Sequence, residues 1–465
     1  MSNSVFGVIG LGVMGKSISL NLAEKGFPIS VFNRKEDGEE DVVINFLQSE
    51  QVTGDLLGFT NLHEFIQSIQ RPRKILLMIK AGTAVDHVIN RLIPLLSKGD
   101  VIIDGGNSHY TDSNKRFEFL AEKGIHFVGS GISGGEEGAR KGPSIMPGGN
   151  LESYQLIAPY LEKIAAKDEL GNPCCAFIGP AGAGHFVKMV HNGIEYAEMQ
   201  LLAELYTIMA ETTSYEEIIQ IFNQWNQGDL SSYLLDITVQ ILQKKEGDRY
   251  VLDSILDKAG NKGTGAWSSK AAFDLGTVNN MMSAAVFARY ISSYKETRTK
   301  WSKNVHVETK ISKALNIKEL EQAYRFARII NHHQGFELIE AASQQYNWNL
   351  NLAGIARIWT NGCIIRSKFM NESIDILQKY SSILDQGETM NWLCSNERVL
   401  VELISYGIEK RVATPVFSSA YHYWISMTTE KLPANLLQAQ RDFFGAHTYQ
   451  RIDYPDGQAV HTIWS

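Results

Sequence analysis

A short apolar, β-branched run, Val5 to Ile9, opens the chain and reaches Gly10 at once; a helical pattern follows from about Met14 to Lys25, with Gly26 as its stop. Further short apolar runs lie at Ile29 to Phe32, Lys74 to Ile79, Val101 to Asp104 and His126 to Val128. Buried-type strands alternating with helical periodicity predict βαβ units and a parallel, doubly wound sheet. The glycine-rich stretch Gly129 to Gly149 is expected to interrupt that pattern.

From about Ala183 the period changes. Long segments with helical spacing of apolar residues cover Val187 to Glu211, Tyr215 to Asn223, Met281 to Thr297, Lys318 to Tyr346 and Trp392 to Gly407, and strand-like alternation is scarce. One more helix starts near Leu432 and runs to about Arg441. Phe444 to Ser465 is rich in aromatics, Gly and His without a period. The expected fold is therefore an α/β domain over 1–181, a large all-helical domain over 182–439 and a short C-terminal tail over 440–465.

Composition narrows the function classes. The 465 residues exceed one ordinary domain, and the formal net charge of -7 disfavours a nucleic-acid binder. Cys174, Cys175, Cys363 and Cys394 have no zinc-site spacing and are too few for a disulfide scaffold. They read as free buried thiols of a reducing compartment. No leader pattern opens the chain and no run of about 18 apolar residues occurs, so a soluble, cytoplasmic protein away from membranes is expected.

Gly10-Leu11-Gly12-Val13-Met14-Gly15 sits directly after the first strand and opens a helix. The first glycine permits the turn, the second lets backbone approach a pyrophosphate, the third lets helix and strand pack, and the helix N-terminus faces the anion. With a second strand at the proper distance, this is a Rossmann-type dinucleotide site. An NAD-specific site would end that second strand on Asp or Glu; here stand Asn33, Arg34 and Lys35. Arg grips a 2′-phosphate with a planar fork and Lys adds charge, which points to NADP; a solvated basic turn is the plainer alternative. Asp37, Glu39 and Glu40 follow, and are expected to lie beyond the ribose.

The densest chemistry runs from Gly179 to Tyr196. On a helix turning about 100° per residue, His191, Asn192 and Glu195 fall within about 60° of Lys188, so the four share a face. Gly193 inside that helix suggests that something approaches closely. Spacing alone leaves a catalytic face and an exposed polar stripe equally open.

Longer segments decide the family. Asp104 to Ser108, Gly131 to Arg140, Gly142 to Gly149, the Lys188 helix, Lys262 to Gly265, Phe287 to Arg289 and Arg441 to Tyr449 resemble those of the 6-phosphogluconate dehydrogenases, in order and over essentially the whole chain. The resemblance implies NADP-dependent oxidation and decarboxylation of 6-phosphogluconate to ribulose 5-phosphate and CO2, without a metal, in the pentose phosphate pathway. It makes Lys188 the general base and Glu195 the general acid. Asn107, Ser133, Gly134, Gly135, His191 and Asn192 would hold the sugar acid, and Tyr196, Lys262, Thr264, Arg289 and Arg441 its phosphate, with His447 nearby. Lys80, Ala81 and Asn107 join the glycine loop and Asn33 to Lys35 as cofactor-binding residues. Family members are homodimers whose tail reaches the partner's site, which would put Arg441 and His447 in trans; a tail that simply covers its own helical domain is the alternative.

The match departs from the family at Ala266, where a Lys is usual after Gly-Thr-Gly, around Val278 to Ala284, and at Gly12, where Ala is common. Lys270, one helical turn on, is a candidate to replace the lost charge. A β-hydroxyacid dehydrogenase shares the glycine fingerprint, Ser133-Gly134-Gly135 and the Lys188 region, but is shorter and lacks the Arg441–Tyr449 segment. A non-catalytic NADP-binding sensor is the remaining rival, and intact Lys188, Asn192 and Glu195 argue against it.

Overall fold

The computed structural model describes residues 4–36, 38–49, 54–260, 263–307 and 315–464. Asp37 and Lys262 lie outside the described residues. Among the described residues eight strands form one sheet: β1 (Phe6–Ile9), β2 (Ile29–Phe32), β3 (Leu56–Phe59), β4 (Lys74–Leu77), β5 (Val101–Asp104), β6 (His126–Ser133), β7 (Ser144–Gly149) and β8 (Gly179–Pro180). Their order across the sheet is β3-β2-β1-β4-β5-β6-β7-β8. The strands β1, β2, β4 and β5 are buried at every position, as apolar runs covered by helices on both faces must be.

Two expectations need correction. The sheet is not wholly parallel: β6 and β7 pair antiparallel, Gly131 opposite Met146 and Ser133 opposite Ser144. The stretch from Gly129 to Gly149 is not an interruption but the rest of β6, a short helix (Gly135–Lys141) and β7. Its glycines replace the apolar side chains that usually announce a strand because neighbouring segments, both backbone and side chain, lie against them. A Cβ on Gly148 would sit 2.5 Å from the Gly184 nitrogen, and one on Gly129 would sit 2.9 Å from Nδ1 of His185.

The remainder is mainly helical. A helix of 28 residues, Ala183–Ala210, lies against β6 and β7 and runs from the sheet into the second half of the chain. Around it pack the helices Thr264–Leu275, Asn280–Ser293 and Ile317–Gln345. The stretch predicted as one helix from Met281 to Thr297 breaks at Tyr294 into Asn280–Ser293 and Lys295–Ser302. Buried Arg328 holds the helix pair together, bonding Glu198 through Nε at 2.7 Å and the Leu230 carbonyl through Nη1 at 2.9 Å. Among the described residues no helix is long and apolar enough to cross a membrane. Cys174, Cys175 and Cys363 are free and buried; Cys394 is free but exposed, on the outer face of its helix.

After the helix Ala434–Gly445, the tail folds on itself through a two-stranded hairpin, Tyr449–Gln450 with Ala459–Val460. Asp442, fully buried, ties it together. Its carboxylate accepts from the backbone of Thr448 and Thr462 and from the side chains of His461 and Trp464, all between 2.8 and 3.1 Å. The absence of a period concealed this knot, because its organising residue is a single acid.

Candidate active site

The glycine loop behaves as its spacing requires. Gly10 has φ +98° and would place a Cβ 2.5 Å from the Met78 carbonyl, while a Cβ on Gly15 would strike the Gly10 carbonyl. Gly12 faces open space within 4 Å, leaving its backbone approachable at the start of the helix Val13–Glu24. Gly12, Val13, Met14 and Gly15 line a cleft with Gly105, Gly106 and Asn107 from the loop after β5. An adjoining cleft runs from Gly10, Leu11 and Gly12 to Asn33 and Arg34 on one side and Lys80, His87 and Arg91 on the other. Ala81 follows Lys80 in that loop, and Lys35 is exposed at the β2 tip. The paired clefts suit a dinucleotide: open backbone at a helix N-terminus and cations at the ribose end.

At that ribose end the acids are not remote. Asn33 is buried, its Oδ1 accepting from the Leu11 backbone N–H at 3.1 Å, and its Nδ2 donates to Oε2 of Glu39 at 3.1 Å. Arg34 pairs with Glu36 at 3.2 Å and with Glu39 at 3.4 Å. The chain turns back after β2, bringing Glu36 and Glu39 into the cleft that sequence distance assigned to basic residues alone.

The Lys188 helix brings the second set together. Lys188 is 7% exposed, His191 0% and Asn192 8%, which rules out an exposed polar stripe. Nζ of Lys188 lies 3.3 Å from Nδ1 of His191, Nδ1 lies 3.3 Å from Oδ1 of Asn192, and Nε2 lies 3.1 Å from Oγ of Ser133 at the end of β6. Glu195, one turn on, brings Oε2 to 3.8 Å from His191 Nδ1 and keeps its side chain 20% exposed. Gly131 makes the approach possible, since a Cβ there would overlap that of Lys188. Gly134 has φ +120° and packs on the Gly362 carbonyl, carrying the chain from β6 into the helix opened by Gly135.

Burial, which penalises the ammonium form, lowers the pKa of Lys188; Glu195 and Cys363 act in the opposite direction. Dehydration, not a neighbouring cation, is the cause of the shift. Burial and then the Lys188 charge push His191 well below its ordinary range, so its imidazole is neutral near pH 7. Cys363, which the sequence did not single out for this role, lies in the same enclosure with its thiol pushed up to about 12 by burial. Gly193 serves packing rather than a ligand, because Oγ of Ser268 and Sδ of Met282 would lie 2.6 and 2.8 Å from a Cβ there.

Further along the helix, Tyr196 is stacked beneath Arg289, whose guanidinium carbon is 3.5 Å from the ring centre, and Gly265 abuts the same ring. Thr264 begins the helix Thr264–Leu275. Ala266 packs on the helical core, and Lys270 acts electrostatically on His109. Arg441 and His447 are exposed on the tail, where Arg441 Nη1 donates to Gln438 at 3.2 Å and His447 stacks edge-on to Phe444. A single chain thus unites Lys188, His191, Asn192, Glu195 and Ser133, and leaves Arg441 and His447 outside that group.

Comparison with known proteins agrees along the whole chain. The profile of the NAD binding domain of 6-phosphogluconate dehydrogenase matches residues 5–179, and that of the 6-phosphogluconate dehydrogenase C-terminal domain matches residues 184–464. The NADP(+)-dependent, decarboxylating 6-phosphogluconate dehydrogenase of Bacillus subtilis is 47% identical over 475 residues, covering 100% of both chains. The decarboxylating enzyme of Escherichia coli K12 is 44% identical over 473 residues with the same coverage. A solved structure of Plasmodium falciparum 6-phosphogluconate dehydrogenase, studied in its apo form and in complex with NADP+ and with 6-phosphogluconate, matches with a TM-score of 0.93 at 39% identity, covering 99% of this chain and 100% of that one. With both halves matched and full-length relatives well above 40% identity, this chain belongs to the 6-phosphogluconate dehydrogenase family.

Proposed function

We propose that the chain oxidises and decarboxylates 6-phosphogluconate to ribulose 5-phosphate and CO2 with NADP as acceptor. The observation that carries this reading is the buried Lys188 with its Nζ 3.3 Å from Nδ1 of His191, whose Nε2 lies 3.1 Å from Oγ of Ser133 at the end of β6. Bound NADP supplies the hydride acceptor, held by Gly10 to Gly15, Asn33 to Lys35, Lys80, Ala81 and Asn107.

Lys188 works as the general base. A free lysine titrates near pH ~10.4, so a buried one is neutral over more of the working range and can take the proton of the C3 hydroxyl. Ser133, Gly134, Gly135, His191, Asn192 and Asn107 orient the sugar acid. Once C3 is a ketone, its β-carboxylate departs as CO2 with the electrons flowing into the carbonyl. Lys188, now an ammonium, faces the oxygen on which charge develops. Glu195, more open to solvent than Lys188, returns a proton to C1 of the enediol. Tyr196, Lys262, Thr264 and Arg289 bind the phosphate.

The working unit is a homodimer in which Arg441 and His447 of each tail serve the partner's site. Support comes from the apolar surface of the last helix and the tail: in the single chain Leu436, Leu437, Phe443, Phe444 and Ile463 stay 61 to 86% exposed. Such a face needs a cover. The functional units are 1–181, 182–439 and 440–465, and the enzyme works in the cytoplasm. The deciding assay follows reduced-nicotinamide absorbance with 6-phosphogluconate, NADP against NAD, with CO2 trapped. Turnover with one CO2 per reduced nicotinamide is expected; cofactor binding without turnover would sink the reading.

A further inference from the structure

Arg34 is the cation at the tip of β2 on which a grip on a 2′-phosphate depends, and here its guanidinium is engaged by two carboxylates, Glu36 at 3.2 Å and Glu39 at 3.4 Å. Glu39 is the better anchored of the two. It also accepts from Nδ2 of Asn33, a buried side chain whose other end is fixed to the backbone of Leu11 in the glycine loop. The Glu39 carboxylate is thus tied to the strand end that presents the ribose. Across the same cleft stand Lys80, His87 and Arg91, so the region mixes cations with two acids rather than presenting a uniformly basic pocket.

A carboxylate in that position has two effects. It occupies the fork of Arg34 and the amide of Asn33, and its charge opposes the doubly charged 2′-phosphate. It also offers a hydrogen-bond acceptor to a free ribose 2′-hydroxyl, the role an acid plays at the end of the second strand in NAD sites. We propose that Glu39 is a specificity-determining residue that narrows this enzyme's preference for NADP over NAD, its carboxylate competing with the 2′-phosphate for Arg34 and Asn33. The inference rests on the NADP-dependent reading above. Glu36, with its side chain 58% exposed and no tie to Asn33, contributes less.

The test uses the full-length enzyme, Glu39→Gln and Glu39→Ala, with two probes, adenosine 2′,5′-bisphosphate and 5′-AMP, titrated by calorimetry. Both variants are expected to bind the bisphosphate about three- to tenfold more tightly, the modest factor that a half-exposed charge allows, and 5′-AMP no more tightly, with Glu39→Ala binding it more weakly because the acceptor for its 2′-hydroxyl is gone. The ratio of kcat/KM for NADP over NAD should rise by the same factor, through KM rather than kcat. Unchanged bisphosphate affinity in both variants, or equal gains for both probes, would overturn the proposal. Loss of turnover with both cofactors in the wild type, alongside tighter bisphosphate binding in the variants, would refute the proposed reaction and leave the role of Glu39 standing.

Discussion

Nζ of Lys188 lies 3.3 Å from Nδ1 of His191, three residues on along one buried helix face. Burial lowers the lysine's pKa and holds the imidazole neutral. If Lys188 is the general base, its neutral amine is the reactive form, and kcat/KM for 6-phosphogluconate should climb with pH through a value below 10.5. Lys188→Met should lose about 10²- to 10⁴-fold in kcat, the usual worth of a general base. Stability carries the same signature. Between the lowered folded pKa and the unfolded value the unfolded chain binds more protons, so wild-type stability rises with pH across that window. Lys188→Met should lack that rise; a parallel rise in both proteins, read by denaturant titration, would remove Lys188 as its source.

Glu195 sits two turns beyond Lys188 and nearer solvent. If it delivers the proton to C1, Glu195→Gln should bind NADP with wild-type affinity yet release ribulose 5-phosphate at least tenfold more slowly, because the amide has no proton of suitable acidity to give. Weakened NADP binding with normal turnover would contradict that role.

Gly131 is the floor on which Lys188 rests. An added methyl would overlap the lysine's Cβ and stand 2.9 Å from its Cγ, and the strand beneath is held on both edges by β5 and β7. A Cβ is fixed by its own backbone, so the helix turn that carries Lys188 must move off the strand and take the amine with it. Displacement by about 1 Å can cost about 100-fold in rate. Gly131→Ala should show a fall in kcat of that order while retaining NADPH affinity by fluorescence titration; equal losses in both would indicate general damage.

Glu204 lies on the same long helix, far from the chemistry. Its carboxyl accepts from the backbone N–H groups of Val416 and Phe417 at the start of the helix Pro415–Met427 and from Gln200. Burial outweighs those bonds and pushes its pKa up to about 8. The folded state then holds a proton that the unfolded state releases near pH 4.5, so the contribution of Glu204 to stability is greatest at low pH and declines as pH rises toward 8. Glu204→Gln, which keeps an acceptor and cannot ionise, should flatten the fall in Tm between pH 5 and pH 9 (roughly the span bracketing the shift). Superimposable Tm profiles would show that the carboxyl does not titrate in this range.

The legible parts of the molecule were those written in periodicity or in a local motif. Gly10, Gly12 and Gly15 specify their own geometry, and the helix carrying Lys188, His191, Asn192 and Glu195 follows from spacing. What escaped is what depends on remote neighbours. The strands β6 and β7 are rich in glycine because the Lys188 helix presses on them, and no period reveals that. Glu39 lies six residues past Asn33 in sequence yet bonds to it, because the chain turns back after β2. Asp442 organises the tail through groups up to 22 residues away, and an isolated Asp carries no such label.

Asp442 also frames the strongest test of the dimer. Burial alone would raise its carboxyl, but bonds from His461, Thr462, Trp464 and Thr448 bring it down to about 2, so the tail stays knotted at any working pH. The adjacent Arg441 is presented outward. If it serves the partner's site, Lys188→Met and Arg441→Ala place their defects in the same site of a mixed dimer and leave its other site whole. Random exchange of equal amounts gives mixed dimers half the time, each with one intact site, so the mixture of two weak enzymes should recover about a quarter of wild-type activity. A tail that serves its own chain gives no intact site in any combination. Recovery absent after subunit exchange has been verified by mass spectrometry would place Arg441 in cis or outside the site altogether.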